Sequence, residues 1–239
     1  MINRRKIKII YFILILSFII TLPLYAQSEN GFYYPSISLF KHYKHAVGLG
    51  GADLPEDMVE EASTLIRAPL FNYQAKYYLP ANFAVYGAFH TNIITYHFSL
   101  GPRWHYHIGK FALEPGYDIA YWFGALNQFG YDSKLRGWIH YPNLTIGYDF
   151  SLFMLSLKAE VIYITSLSEL ADDVEVTRRF KNYAGITIAV YLEQPLWKDH
   201  HVILGVKSNY TKFYYPVWAA FSTFNRFFWI PEITVGYIL

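Results

Sequence analysis

The chain of 239 residues contains no cysteine. That absence excludes a disulfide framework and a lipid anchor on a cysteine, whatever compartment the protein occupies. Charge is scarce as well, at 16% of residues against a typical ~25%. After residue 26 no apolar run approaches the ~20 residues that a membrane-spanning helix needs. A basic surplus is also missing where it would matter. Four of the 20 Lys and Arg residues fall in the first eight positions, at Arg4, Arg5, Lys6 and Lys8. Without them the remainder is slightly acidic, so no nucleic-acid footprint is expected.

The first 26 residues have the form of an export signal. The basic cluster is followed by an apolar stretch over 9–22 and by Pro-Leu-Tyr-Ala, with a small residue before Gln27. Cleavage after Ala26 is expected, leaving 27–239 as one domain. What that domain has in excess is aromatic: 20% of the chain, including 23 tyrosines. The aromatics are ordered. Tyr96, Phe98, Leu100, Pro102, Trp104, Tyr106 and Ile108 alternate with His97, Ser99, Gly101, Arg103, His105 and His107. After Gly109-Lys110 the same split returns, with Phe111, Leu113, Pro115, Tyr117, Ile119 and Tyr121 set against Ala112, Glu114, Gly116, Asp118 and Ala120.

A period of two is that of a strand, whose successive side chains point to opposite faces. An aromatic face on strand after strand, in an exported chain without spanning helices, implies an all-β fold: a transmembrane antiparallel up-and-down β-barrel. Ten strands are expected, near 33–43, 68–79, 83–91, 94–107, 110–123, 136–149, 152–166, 180–193, 201–212 and 227–239. An eight-stranded barrel with an N-terminal appendage is the alternative, because 32–43 alternates poorly and 83–90 is apolar on both faces. The final strand sets Trp229, Ile233, Val235, Tyr237 and Leu239 against Glu232, Thr234 and Gly236. This ending resembles the terminal signal of bacterial outer-membrane barrels, an aromatic third from the end and an apolar last residue, though with Leu in place of the usual Phe. The resemblance implies residence in the outer membrane of a diderm bacterium, among its lipids and lipopolysaccharide.

On the inward face a tight turn at 108–109 sets Arg103 against Glu114 and Ser99 against Asp118. The turn at 150–151 sets Lys158 beside Asn143 and Glu160 beside Tyr141. Buried charges need partners, so Arg103, Glu114, Lys158 and Glu160 are read as lumen ion pairs that close the barrel with its own side chains. His97-Phe98-Ser99 resembles the His-x-Ser pair of outer-membrane lipid A 3-O-deacylases. By that resemblance Ser99 would be a nucleophile and His97 its base, with Asp118 as the orienting acid. In that family the pair faces lipid and the acid is a Glu about a dozen residues on, where this chain has Phe111. His105 and His107 share one strand face and could ligate a metal, but no carboxylate stands beside them at a recurrent ligand spacing. No cofactor is expected. An omptin-like protease would need Asp/His pairs at the outer rim, and Asp132, Asp172 and Asp173 have no evident His partner.

Two loops stand out. In the first long loop, 44–67, Asp53, Pro55 and Glu56 suggest a capped short helix over 55–64. In 213–226, Tyr215, Trp218, Phe221 and Phe224 are too apolar for an exposed loop. They imply contact with membrane or an envelope partner, or folding back into the barrel mouth. The expected role is a structural or accessory envelope component with a polar, plugged lumen. The alternatives are a lipid A-modifying acyl hydrolase and a narrow passive channel.

Overall fold

In the computed structural model, the residues described are 31–36, 42–55, 66–128, 131–171, 174–177, 182–197, 200–220 and 226–239. The expected signal peptide, and the expected loop helix apart from Pro55, lie outside them. The alternating segments form β1 (Tyr43–Leu54), β2 (Ile66–Tyr78), β3 (Phe83–Thr91), β4 (Thr95–Trp104), β5 (Tyr106–Ile108), β6 (Phe111–Gln128), β7 (Tyr131–Asp149), β8 (Met154–Ala171), β9 (Val174–Thr177), β10 (Tyr183–Pro195), β11 (His201–Thr211) and β12 (Phe228–Ile238). β4 and β5 are one crossing interrupted at His105, and β9 is a short arm on the end of β8. The wall is therefore a closed antiparallel barrel of ten strands.

Closure occurs where β1 pairs with β12, from Ala46–Ile238 to Ala52–Glu232, and β10 bridges β8 and β11. No spanning edge is left open, which is what hydrocarbon requires of a sheet. Short turns at 79–82, 109–110, 150–153 and 196–200 lie at one end. Most of the longer connections lie at the other, the arrangement of periplasmic turns and external loops in such barrels. The exception at the outer end is the tight link at 92–94, where Ile93 has φ 82°.

The outward face is apolar along every crossing. Leu100, Ile119, Leu144, Ile146, Leu157, Ile188, Val190, Val206, Ile233 and Val235 form its middle band. Below them Tyr43, Tyr77, Phe83, Trp104, Phe111 and Trp197 form an inner aromatic girdle; above them Phe98, Trp138, Tyr163, Tyr183, Tyr210 and Trp229 form an outer one. Such girdles mark the two interfaces of a bilayer. The alternation in 95–121 resolves as expected: His97, Arg103, His105, Glu114 and Asp118 are buried inward while Phe98, Leu100, Trp104, Phe111 and Ile119 are exposed outward.

The first crossing differs from the expectation. It is β1 at 43–54, while 33–36, together with Gly31 and Phe32, lies inside the barrel. The sequence YKHAVGLGGADL is poor in β-formers, so local propensity hides a strand that pairing on both edges enforces. Asp53 belongs to this strand, and its Oδ1 accepts from Arg67 Nε at 3.1 Å rather than capping a helix. β6, β7 and β8 run 18, 19 and 18 residues, well past the roughly 9–11 needed to cross. Much of the expected loops at 124–135 and 167–179 is thus strand extending outward.

The band gives a direct test. Leu157→Arg, on the middle of the lipid face, should reduce stability in lipid vesicles by about 2–4 kcal/mol. Denaturant unfolding measures this, and an unchanged midpoint would put that face away from lipid.

Candidate functional site in the lumen

Three layers fill the interior. At the periplasmic end the segment 31–36 enters the lumen and turns back on itself, with Ser36 Oγ donating to the Gly31 carbonyl at 2.9 Å. The Glu193 carboxylate on β10 accepts the backbone N–H of Phe32 at 2.6 Å and that of Tyr34. Three rings anchor the segment. Phe32 is fully buried beside Tyr86, Tyr33 stacks on Tyr191 at 3.7 Å, and the Tyr34 hydroxyl donates to the Lys110 carbonyl at 3.2 Å.

The middle layer is ionic. Arg103 lies between two carboxylates, with Nε 3.3 Å from Glu114 Oε1 and Nη2 2.5 Å from Asp118 Oδ2. Glu114 Oε2 also meets Lys76 Nζ at 2.8 Å and His105 Nδ1 at 3.0 Å. The residue opposite Arg103 in the ladder is Gly116, not Glu114. The register is two residues from that expected because the turn takes in 109–110. Glu114 and Asp118 therefore flank the guanidinium diagonally, and the missing side chain at Gly116 leaves its place. A Cβ there would lie 2.4 Å from Arg103 Nη1. The next turn, at 150–153, shifts its hairpin by the same amount: Asn143 opposes Glu160 and Thr145 opposes Lys158. Lys158 Nζ nevertheless meets Glu160 Oε2 at 2.7 Å, and Lys207 Nζ meets Glu232 Oε1 at 2.6 Å.

The outer layer is apolar, where a polar lumen was expected throughout. Trp122, Leu135, Ile139, Ile162, Ile164 and Leu167 all point inward and pack with Phe213 and Trp218. Tyr215 and Trp218 thus turn into the mouth instead of outward to a partner. Tyr215 stacks on His97 at 4.2 Å, and Phe213 packs on Trp122 at 4.8 Å. Trp218 lies over Gly124, where a Cβ would be 1.9 Å from its indole nitrogen. Asn92 Nδ2 donates to the Pro216 carbonyl and ties this loop to the tight 92–94 link. Phe221 and Phe224 lie outside the described residues. The signal for this layer was available on the inward face: above Asp118 the inward positions of β6–β8 carry Trp122, Leu135, Ile139, Ile162 and Ile164 in place of charged groups.

Between the outer and inner layers remains a cavity of ≈80 Å³, lined by Tyr86, His97, Tyr141, Lys158, Glu160 and Glu232 among others. It has room for a few waters. His97, Ser99 and Asp118 all border it, away from lipid. His97 Nε2 is 3.1 Å from the Tyr141 hydroxyl, while Asp118 Oδ2 is held by Arg103 and by Asn143 Nδ2 at 3.2 Å. The base and acid of the His-x-Ser reading are thus engaged elsewhere than with Ser99. His105 contacts Glu114, and His107 lies edge-on to Tyr34 at 6.0 Å. Among the described residues no group of three or more His, Asp or Glu side chains could hold a metal ion.

A closed ten-stranded wall with an apolar band between aromatic girdles is an outer-membrane β-barrel. No family model matches the chain, and no curated relative matches it. Among solved structures it is similar to the outer-membrane protease OmpT from Escherichia coli at 10% identity, over 85% of this chain and 96% of that chain, with a TM-score of 0.46. It is similar to the translocator domain of the autotransporter NalP from Neisseria meningitidis at 10% identity, over 82% and 87%, with a TM-score of 0.44. Similarity to outer membrane phospholipase A from Escherichia coli is also 10% identity, over 82% and 92%, with a TM-score of 0.39. Likeness at this level assigns no activity.

The ionic layer predicts an order of damage. Glu114→Ala leaves Lys76 and Arg103 sharing too little negative charge and should cost about 3–5 kcal/mol, the scale for stranding a buried charge. Arg103→Ala leaves Glu114 with Lys76 and Asp118 with Asn143, and should cost less. The temperature at which the folded band converts on a gel reports both, and equal small losses would mean that the network is solvated.

Proposed function

We propose that the protein is a non-conducting barrel that serves the outer membrane as a structural or accessory component. The observation that carries this reading is the occupation of the lumen from both ends. The segment 31–36 is clamped by Glu193 at one end, and 213–218 is packed on Trp122, Gly124 and His97 at the other. A passive channel needs a continuous wet path, and here buried ion pairs and aromatic rings interrupt it. An acyl hydrolase built on His97 and Ser99 needs those groups at the lipid surface, and they face the cavity instead. What remains available for a biological role is the outer wall together with the rim that β6–β9 extend above the membrane.

In a planar bilayer the purified full-length protein should give no unitary current steps at moderate voltage. Stable, reproducible steps would overturn the plugged-lumen reading.

A further inference from the structure

With 31–36 in place, the wall and the rim are the surfaces that a partner can reach. The pocket under that segment is a further one, and the way it is filled sets it apart from the rest of the interior. The wall is complete without the segment: β1 begins at Tyr43 and closes on β12 and β2 through its own ladders. Among the described residues no backbone–backbone hydrogen bond joins 31–36 to a strand. A gap of ≈20 Å³, lined by Phe32, Tyr33, Arg103 and Glu114 among others, lies between the segment and the ionic layer. The segment is held as a ligand is held, by side chains of a finished container.

The container is shaped for this ligand. Ala112, Gly147 and Ser156 are ladder partners in one row across β6, β7 and β8, and all three are buried on the inward face. The row forms a recess, and Tyr34 and Pro35 fill it. A Cβ on Gly147 would lie 2.6 Å from Tyr34 Cδ2 and 2.7 Å from Pro35 Cδ. The next member of the row is Tyr191 on β10, the ladder partner of Ser156, and Tyr33 stacks on it with the rings 9° from parallel. Phe32 closes the far side, beside the Tyr86 ring and with Lys76 Nζ 5.5 Å from its own ring centre.

The main chain is read as well. Glu193 is fully buried, and its two carboxylate oxygens accept separately from the N–H of Phe32 and of Tyr34. Such charge-assisted bonds are stronger than neutral ones. They recognise a backbone shape, while the recess and Tyr191 recognise rings.

We propose that the periplasmic half of the lumen is a binding site for a short aromatic peptide segment, which the chain's own 31–36 occupies at rest. The ligand class follows from the contacts: successive aromatic side chains on a turned backbone that offers two N–H groups. Residues 37–42 tie the segment to β1, and a tether that short gives a local concentration on the order of millimolar. A free peptide at micromolar concentration is shut out until the segment is weakened or drawn away. The proposal deepens the reading of the lumen as occupied at its inner end, and rests on it. Peptide binding and bilayer current are separate readouts, so each reading can fail without the other.

The test uses full-length protein in detergent and a fluorescent peptide of the sequence Gly-Phe-Tyr-Tyr-Pro-Ser, followed by anisotropy. Wild type should bind little of it at micromolar concentration. A variant in which Phe32, Tyr33 and Tyr34 are all replaced by serine keeps the closed wall, and should bind the peptide roughly tenfold or more tighter than wild type. In that background Glu193→Ala should weaken binding about tenfold or more, the scale of hydrogen bonds to a charged group. Gly147→Leu, which fills the recess, should weaken it as much. The same peptide with serine at its three aromatic positions should not bind. Heat-dependent gel migration identifies the variants that fold, and two pocket positions guard against failure of one. Absence of peptide binding to the folded triple variant would overturn the site. So would equal binding by wild type and triple variant, equal binding of the two peptides, or binding that survives both pocket substitutions.

Discussion

A sheet edge cannot face hydrocarbon, because each unpaired N–H and C=O there costs several kcal/mol. The fold follows from that constraint. It explains why β1, with Gly48, Gly50 and Gly51 among its residues, is a strand at all: β12 and β2 both need a partner, and this segment supplies it. It also fixes register, since a slip of one residue would turn the apolar band inward and Arg103 and Glu114 into lipid.

Closure creates a second demand, because a ten-stranded wall encloses space that its own side chains do not fill everywhere. The chain fills it differently at the two ends. At the periplasmic end, where inward residues are polar, the filler is a short segment whose backbone N–H groups are taken by Glu193. At the outer end, where inward residues are Trp122, Leu135 and Ile139, the filler is the aromatic part of the β11–β12 connection. Between them Arg103 joins β4 to β6 through two carboxylates. Its guanidinium also lies over Tyr86 of β3, 4.5 Å from the ring centre.

Much of this was legible in the sequence, for reasons specific to the solvent. Lipid on one side and a mixed lumen on the other force a period of two, so barrel class, strand number and the inward set His97, Arg103, Glu114 and Asp118 could be read directly. The hairpin register could not, because a turn of one or two more residues moves every cross-strand neighbour, and nothing in 108–111 or 149–154 announces its length. Tyr33 and Tyr34 read as strand because an aromatic-rich segment looks the same on a wall and in a plug. Tyr215 and Trp218 could not be assigned to the mouth rather than to membrane or a partner, because what they pack on, His97 and Gly124, lies about a hundred residues away in sequence.

Amide hydrogen exchange at Phe32 and Tyr34 in the wild-type barrel, followed by NMR, tests the occupied lumen most directly. If Glu193 holds both N–H groups in a buried turn, they exchange as slowly as the ladder amides of β10. Exchange as fast as in a free chain would mean that 31–36 does not occupy the lumen, and the barrel would have to be understood as open at its periplasmic end.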